Sequence, residues 1–180
     1  MRLQPLNHLI EVVRAVARPA RVCVLGSASL LPDHPELGGT GAPLELTADA
    51  DFLLEPVNDA IAESIQLAAG RESAFMAQNG YCADILRPTI AETLPAGWES
   101  RLHAVAGYDN VFALDPYDLA LVKLIVGRPK DLELLRGLLR LGIIEPVHLR
   151  AHYQQTPLGE HEATVAGRNL HAVLTEGSPR

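Results

Sequence analysis

Residues 47–54, Thr47-Ala48-Asp49-Ala50-Asp51-Phe52-Leu53-Leu54, place two carboxylates one residue apart in a run that is otherwise mostly apolar. Read as part of a strand from Leu44 to Glu55, the stretch turns residues i and i+2 to the same face, about 6.6 Å apart along the chain. Two like charges so close beside a buried element are costly unless a cation lies between them. Mg²⁺ (or Mn²⁺) is the simplest such cation, because it takes oxygen ligands and commonly arrives with a phosphate.

Upstream, Val22-Cys23-Val24-Leu25 is a second apolar run, beginning at Arg21 and ending in the small-residue turn Gly26-Ser27. Apolar residues at 6, 9, 10, 13 and 16 predict a helix over Leu6–Ala17, stopped by Pro19. Ser27–Leu31 reads as the first turns of a helix, and Pro32–Pro43 as a loop. Asn58–Ala69 reads as a helix closed by Gly70, and Glu72–Gln78 as one short helix. Tyr81–Leu86 is another strand and carries Asp84. Leu102–Ala106 and Val111–Leu114 form an antiparallel pair around Gly107-Tyr108-Asp109-Asn110. From Asp115 the chain turns helical, with Asp115 as N-cap, Pro116 at the first position and Asp118 two residues further on. Helices follow over Leu119–Val126, Lys130–Leu141, Glu145–Gln154 and Glu160–Leu174, with a loose tail from Thr175. The predicted architecture is α+β: a small mixed β-sheet flanked by helices over residues 1–114, with a helical C-terminal region, 115–180, packed on it as a cap.

The chain has 180 residues and a formal net charge of −7, which argues against a sequence-blind coat for nucleic acid. Of 15 basic side chains only Lys123 and Lys130 are lysines. Among so many arginines, a lysine marks a position that wants a compact ammonium. No segment is apolar enough to span a bilayer, and Met1-Arg2-Leu3-Gln4-Pro5 lacks the apolar block of a signal peptide. Cys23 and Cys82 sit in apolar runs and read as buried thiols of a reducing compartment. Together these features predict a cytoplasmic protein.

Asp84 has two readings: a strand-edge carboxylate paired with Arg87, or a third acid facing Asp49 and Asp51 from a neighbouring strand. Three converging carboxylates can hold two divalent cations about 4 Å apart, which serves in-line displacement at phosphorus. Gly26 would let the backbone approach a phosphate, a helix starting there would aim its amides at it, and the Ser27 hydroxyl would add a hydrogen bond. His148 and His152 lie one turn apart without a third metal ligand, which favours a packing or solvated role. Trp98 reads as a loop anchor. Arg136 and Arg140 form a solvated face or touch an anionic acceptor.

Gly26-Ser27, Asp49-x-Asp51 and Asp84, in that order, resemble the nucleotidyltransferase superfamily pattern. Asp115-Pro116-Tyr117-Asp118-Leu119-Ala120, Lys123-Leu124 and Gly127-Arg128-Pro129-Lys130-Asp131 are similar to helices of toxin-type nucleotidyltransferases from bacterial toxin–antitoxin and abortive-infection systems, a group that includes domains of unknown function. The resemblance covers residues 20–142. It implies Mg²⁺-dependent transfer of a nucleoside monophosphate from an NTP to an RNA, such as a tRNA end, or to a protein hydroxyl, with a cognate antitoxin as partner. Asp49, Asp51 and Asp84 would be catalytic metal ligands. Gly26, Ser27 and Lys123 would contact the phosphates, and Lys130 and Asp131 would flank the nucleotide, or Asp131 would orient Lys130. Glu45 departs from the pattern, standing where such chains carry a basic residue. It motivates an alternative, a non-catalytic nucleotide- or partner-binding member of the same fold. A D-x-D glycosyltransferase ranks third, since such chains are longer.

Overall fold

The computed structural model describes residues 1–17, 20–56 and 58–176. In chain order the elements are α1 (Leu3–Ala17), β1 (Arg21–Leu25), β2 (Asp49–Glu55), α2 (Asp59–Ala69), α3 (Ala74–Asn79), β3 (Cys82–Ile85), β4 (His103–Ala104), β5 (Val111–Ala113), α4 (Pro116–Val126), α5 (Pro129–Arg140), α6 (Pro146–Gln155) and α7 (Glu160–Glu176), with short 3₁₀ turns between some of them. The fold is α+β around a five-stranded mixed sheet. Among the described residues no helix is long and apolar enough to cross a membrane. The expected helix stop at Pro19 and the end of the expected loose tail, residues 177–180, lie outside the described residues.

The strands lie in the order β3-β2-β1-β5-β4. β1 is central because its residues from Val22 to Leu25 are apolar and buried, the pattern of a strand covered on both faces. It pairs antiparallel with β2 and parallel with β5, while β3 runs parallel to β2 and β4 antiparallel to β5. The β4–β5 connection needs left-handed backbone at Gly107 and at Asn110, whose φ is 60°. Both cysteines are buried, and neither is in a disulfide.

The chain divides into two compact units: Met1–Glu92 with Arg101–Leu114, and Thr93–Ser100 with the chain from Asp115 onward. The first holds the sheet and α1 to α3, with α1 packed on α2 and α2 on β3. In the second, α4 packs against α5, α6 and α7. The Asp115 side chain caps α4 by accepting the amides of Tyr117 (2.8 Å) and Asp118 (3.3 Å). Trp98, buried as an anchor should be, belongs to the second unit.

Three local expectations are corrected. β2 starts at Asp49, not Leu44: Glu45 N and Thr47 N donate across turns to Ala42 and Leu44 carbonyls at 3.1 Å each, and the Met1 amine donates to the carbonyls of Leu44 and Glu45. With Glu45 N and Thr47 N spent on these turns, the segment does not join the ladder. The element after Gly26 is one 3₁₀ turn, Ser27–Leu30, closed by the Ser29 hydroxyl on the Gly26 carbonyl at 2.8 Å. Its few aligned peptides carry far less dipole than an α-helix. Thr175 is helical, its hydroxyl donating to His171 O at 2.8 Å.

Candidate active site

Residues facing each other across a β-ladder project to the same face, as do residues i and i+2 of one strand. Asp51 faces Asp84 in the β2–β3 register and Leu25 in the β1–β2 register, and Asp49 faces Cys82. Asp49, Asp51 and Asp84 therefore share one face of the sheet, beside the end of β1. Asp51 and Asp84 are on adjacent strands, about 4.8 Å apart across the ladder. The Cys82 thiol senses all of them. Burial pushes it up, the Arg71 charge pulls it down, and the charges of Asp49, Asp84 and Asp51 push it up further. No Asp84–Arg87 ion pair forms among the described residues.

The turn after β1 closes onto this face. Gly26 has φ 60° and ψ −163°, a region open essentially to glycine alone. A Cβ at residue 26 would stand 1.9 Å from Asp51 Oδ2. The elbow and the second acid are thus in direct apposition, with no room for a side chain between them. Gly26→Ala is expected to cost about 1–3 kcal/mol of backbone strain and to push the Asp51 carboxylate aside. Chemical denaturation reads the first effect, and divalent-cation affinity the second. A variant as stable as the parent would contradict this geometry.

Asp49 is engaged elsewhere. Arg71, in the turn between α2 and α3, places its Nη2 3.0 Å from Asp49 Oδ2. The side chains are 68% and 44% exposed, so this single contact contributes only about 0–1 kcal/mol and is readily exchanged. Glu45, the departure from the expected pattern, closes its own loop: its Oε2 accepts the Gly41 amide at 2.8 Å.

The other predicted residues lie in the second unit. Asp131 is 2% exposed and binds Lys123 Nζ at 3.0 Å, Arg128 Nε at 2.6 Å and Arg128 Nη2 at 3.2 Å. Lys130 is exposed, so the residue that Asp131 orients is Lys123, not Lys130. The reversal at Gly127, with φ 66°, brings the start of α5 back to the last turns of α4. Burial pushes the Asp131 carboxyl up, but the hydrogen bonds and charges of Arg128 and Lys123 outweigh it and hold the group below its ordinary value. Arg136 and Arg140 are both paired with Glu133, at 3.6 and 3.1 Å; Arg140 is exposed as on a solvated face, whereas the Arg136 side chain is only 18% exposed.

Residues 1–156 match the model of a family described as "Nucleotidyltransferase of unknown function (DUF6036)". The chain belongs to this family. No curated protein and no solved structure matches it.

In this nucleotidyltransferase-family chain the acid face offers donors of the kind that a divalent cation takes. All three are carboxylates, the oxygen ligands that Mg²⁺ or Mn²⁺ takes, and two face each other in register. The Gly26 elbow also keeps the Asp51 carboxylate in a space that any side chain would fill. Among the described residues no three His, Cys, Asp or Glu groups are already gathered tightly enough to hold a metal, and Asp49 is turned to Arg71. Two partners escaped sequence reasoning. Arg71 is 22 residues from Asp49 and carries no motif. His152 lies 2.8 Å from Asp118, which is fully buried at the start of α4. That contact gives His152 the packing role its spacing suggested, and only the α4–α6 packing identifies its partner.

Proposed function

We propose that the protein is a Mg²⁺-dependent nucleotidyltransferase that moves a nucleoside monophosphate from an NTP to a hydroxyl of an RNA, such as a tRNA end, or of a protein. The observation that carries this reading is the register pairing of Asp51 with Asp84 on the face closed by Gly26. Family membership supports it independently.

In this reading Asp49, Asp51 and Asp84 hold Mg²⁺ (or Mn²⁺). Bound there, the cation neutralises charge that develops on the transferring phosphoryl group. The Gly26-Ser27 turn accepts the triphosphate, since a glycine backbone admits close approach and the Ser27 hydroxyl can donate. Asp84 takes the proton of the acceptor hydroxyl as its oxygen attacks the α-phosphorus, and pyrophosphate leaves. The resemblance to toxin-type enzymes supports a place in a toxin–antitoxin pair.

Incubation with each α-labelled NTP, Mg²⁺ and either total RNA or a cell lysate tests the activity. Label is expected on RNA or protein with the parent chain and not with Asp51→Ala. No transfer under any condition, or equal transfer by both proteins, would overturn it. Growth arrest on expression of the parent but not of Asp51→Ala tests the toxin role, and no arrest would remove it.

A further inference from the structure

Three acids share one face of two paired strands, and the cation bonded to the first of them is Arg71, 3.0 Å from Asp49 Oδ2. A guanidinium is a ligand for phosphate as readily as for carboxylate, and binds both through the same N–H fork. Its contact with Asp49 is a single hydrogen bond between exposed groups, so it can be exchanged without rebuilding the fold. Its backbone is well placed to stay put while the side chain moves. Gly70 ends α2 through its amide on Gln66 O at 2.9 Å, and Ser73 starts α3 with its hydroxyl on Gly70 O at 2.6 Å. The turn is thus anchored on both sides of Arg71.

The charge balance gives the side chain two successive tasks. Before ligands arrive, like charges on Asp49, Asp51 and Asp84 repel, and Arg71 offsets part of that repulsion. With a divalent cation bound, Asp49 no longer needs a guanidinium. The incoming triphosphate then brings several negative charges to the same face and does need one.

We propose that Arg71 is an exchangeable counter-ion: it holds the Asp49 carboxylate in the ligand-free protein, competes there with divalent cations, and transfers to the nucleotide triphosphate when cation and NTP bind together. The proposal rests on the nucleotidyltransferase reading above and adds to it a phosphate-binding residue on the α2–α3 turn. Arg71 acts on substrate binding and Asp49 orientation, with no bond made or broken at its own atoms.

The test is binding, without turnover. Mn²⁺ affinity is measured by electron paramagnetic resonance on the full chain, first alone and then with a non-hydrolysable NTP analogue, whose affinity is read by calorimetry. Arg71→Gln is expected to bind Mn²⁺ alone about 3- to 10-fold more tightly, since a +1 competitor is gone, and to bind the Mn²⁺–NTP analogue about 10-fold more weakly. Arg71→Lys, which keeps the charge, should lie between Arg71→Gln and the parent in both measurements. Arg87→Gln, an exposed arginine just past β3, should leave both affinities at the parent value. If the parent binds Mn²⁺ and Arg71→Gln binds it no more tightly, this proposal falls and the nucleotidyltransferase reading stands. The same holds if analogue affinity is unchanged in Arg71→Gln, or if Arg87→Gln tightens Mn²⁺ binding equally. If the parent binds neither Mn²⁺ nor the analogue, both fall together.

Discussion

Asp51→Asn is expected to lower nucleotidyl transfer by roughly 10³-fold or more, about 4 kcal/mol of transition-state stabilisation, with no loss of fold stability. The position explains the size of the effect. Asp51 faces Asp84 across the β2–β3 ladder and touches the Gly26 elbow, so it sits where the acid face and the Gly26-Ser27 turn meet. Asparagine keeps the shape that fits against Gly26 but gives up one anionic ligand. The fold should tolerate it because the exchange also removes one of three like charges from a single face. Initial rates at saturating Mg²⁺ and the urea unfolding midpoint, measured on one preparation, check both halves. A variant within 10-fold of the parent would remove Asp51 from the site, whereas a collapsed midpoint would make its role structural.

The second large effect concerns stability. Asp131→Asn is expected to destabilise the second unit by about 3 kcal/mol, because it strands Lys123, whose side chain is only 11% exposed, without its carboxylate. Arg128, 53% exposed, keeps its water and contributes less to the loss. Replacing both members of the buried pair, Lys123→Met with Asp131→Leu, should recover most of it, since an apolar pair carries no stranded charge. Chemical denaturation followed through the helical signal reads all three proteins. Parent-like stability in the single variant would show that Asp131 is not the partner holding Lys123.

The same group sets a pH dependence. Its folded-state value lies below the ordinary 3.8, so its contribution to stability is complete above that value. It is lost as pH falls through the depressed folded value, because the unfolded chain takes up the proton first. The parent should therefore lose stability on acidification below about pH 4, and Asp131→Asn should lack that component. Equal acid sensitivity in the two proteins would contradict the assignment.

What could be read from the sequence followed local rules. The Asp115-Pro116 start of α4, the Gly70 stop of α2 and the apolar β1 run all act within a few residues, and each appears where its chemistry places it. The shared face of Asp49 and Asp51 follows from strand alternation alone, though joining Asp84 to it required the β2–β3 register. The failures have a common cause in long-range contacts. Leu44-Glu45-Leu46-Thr47 alternates like a strand, but the Met1 amine takes two of its carbonyls and turns follow. Lys130 precedes Asp131 in sequence, but the side chain that reaches Asp131 is Lys123, one helix back across Gly127. Arg71 had no signature because its role depends on how the α2–α3 turn stands beside β2.

Cation binding at the acid face is tested most directly by a crystal of the full chain grown with Mn²⁺ and a non-hydrolysable NTP analogue. An anomalous peak is expected at coordinating distance from Asp51 and Asp84, with Asp49 turned from Arg71 toward the ion and the triphosphate lying on Gly26-Ser27. Analogue density with no ion on these carboxylates, or an ion bound at a different set of residues, would contradict it.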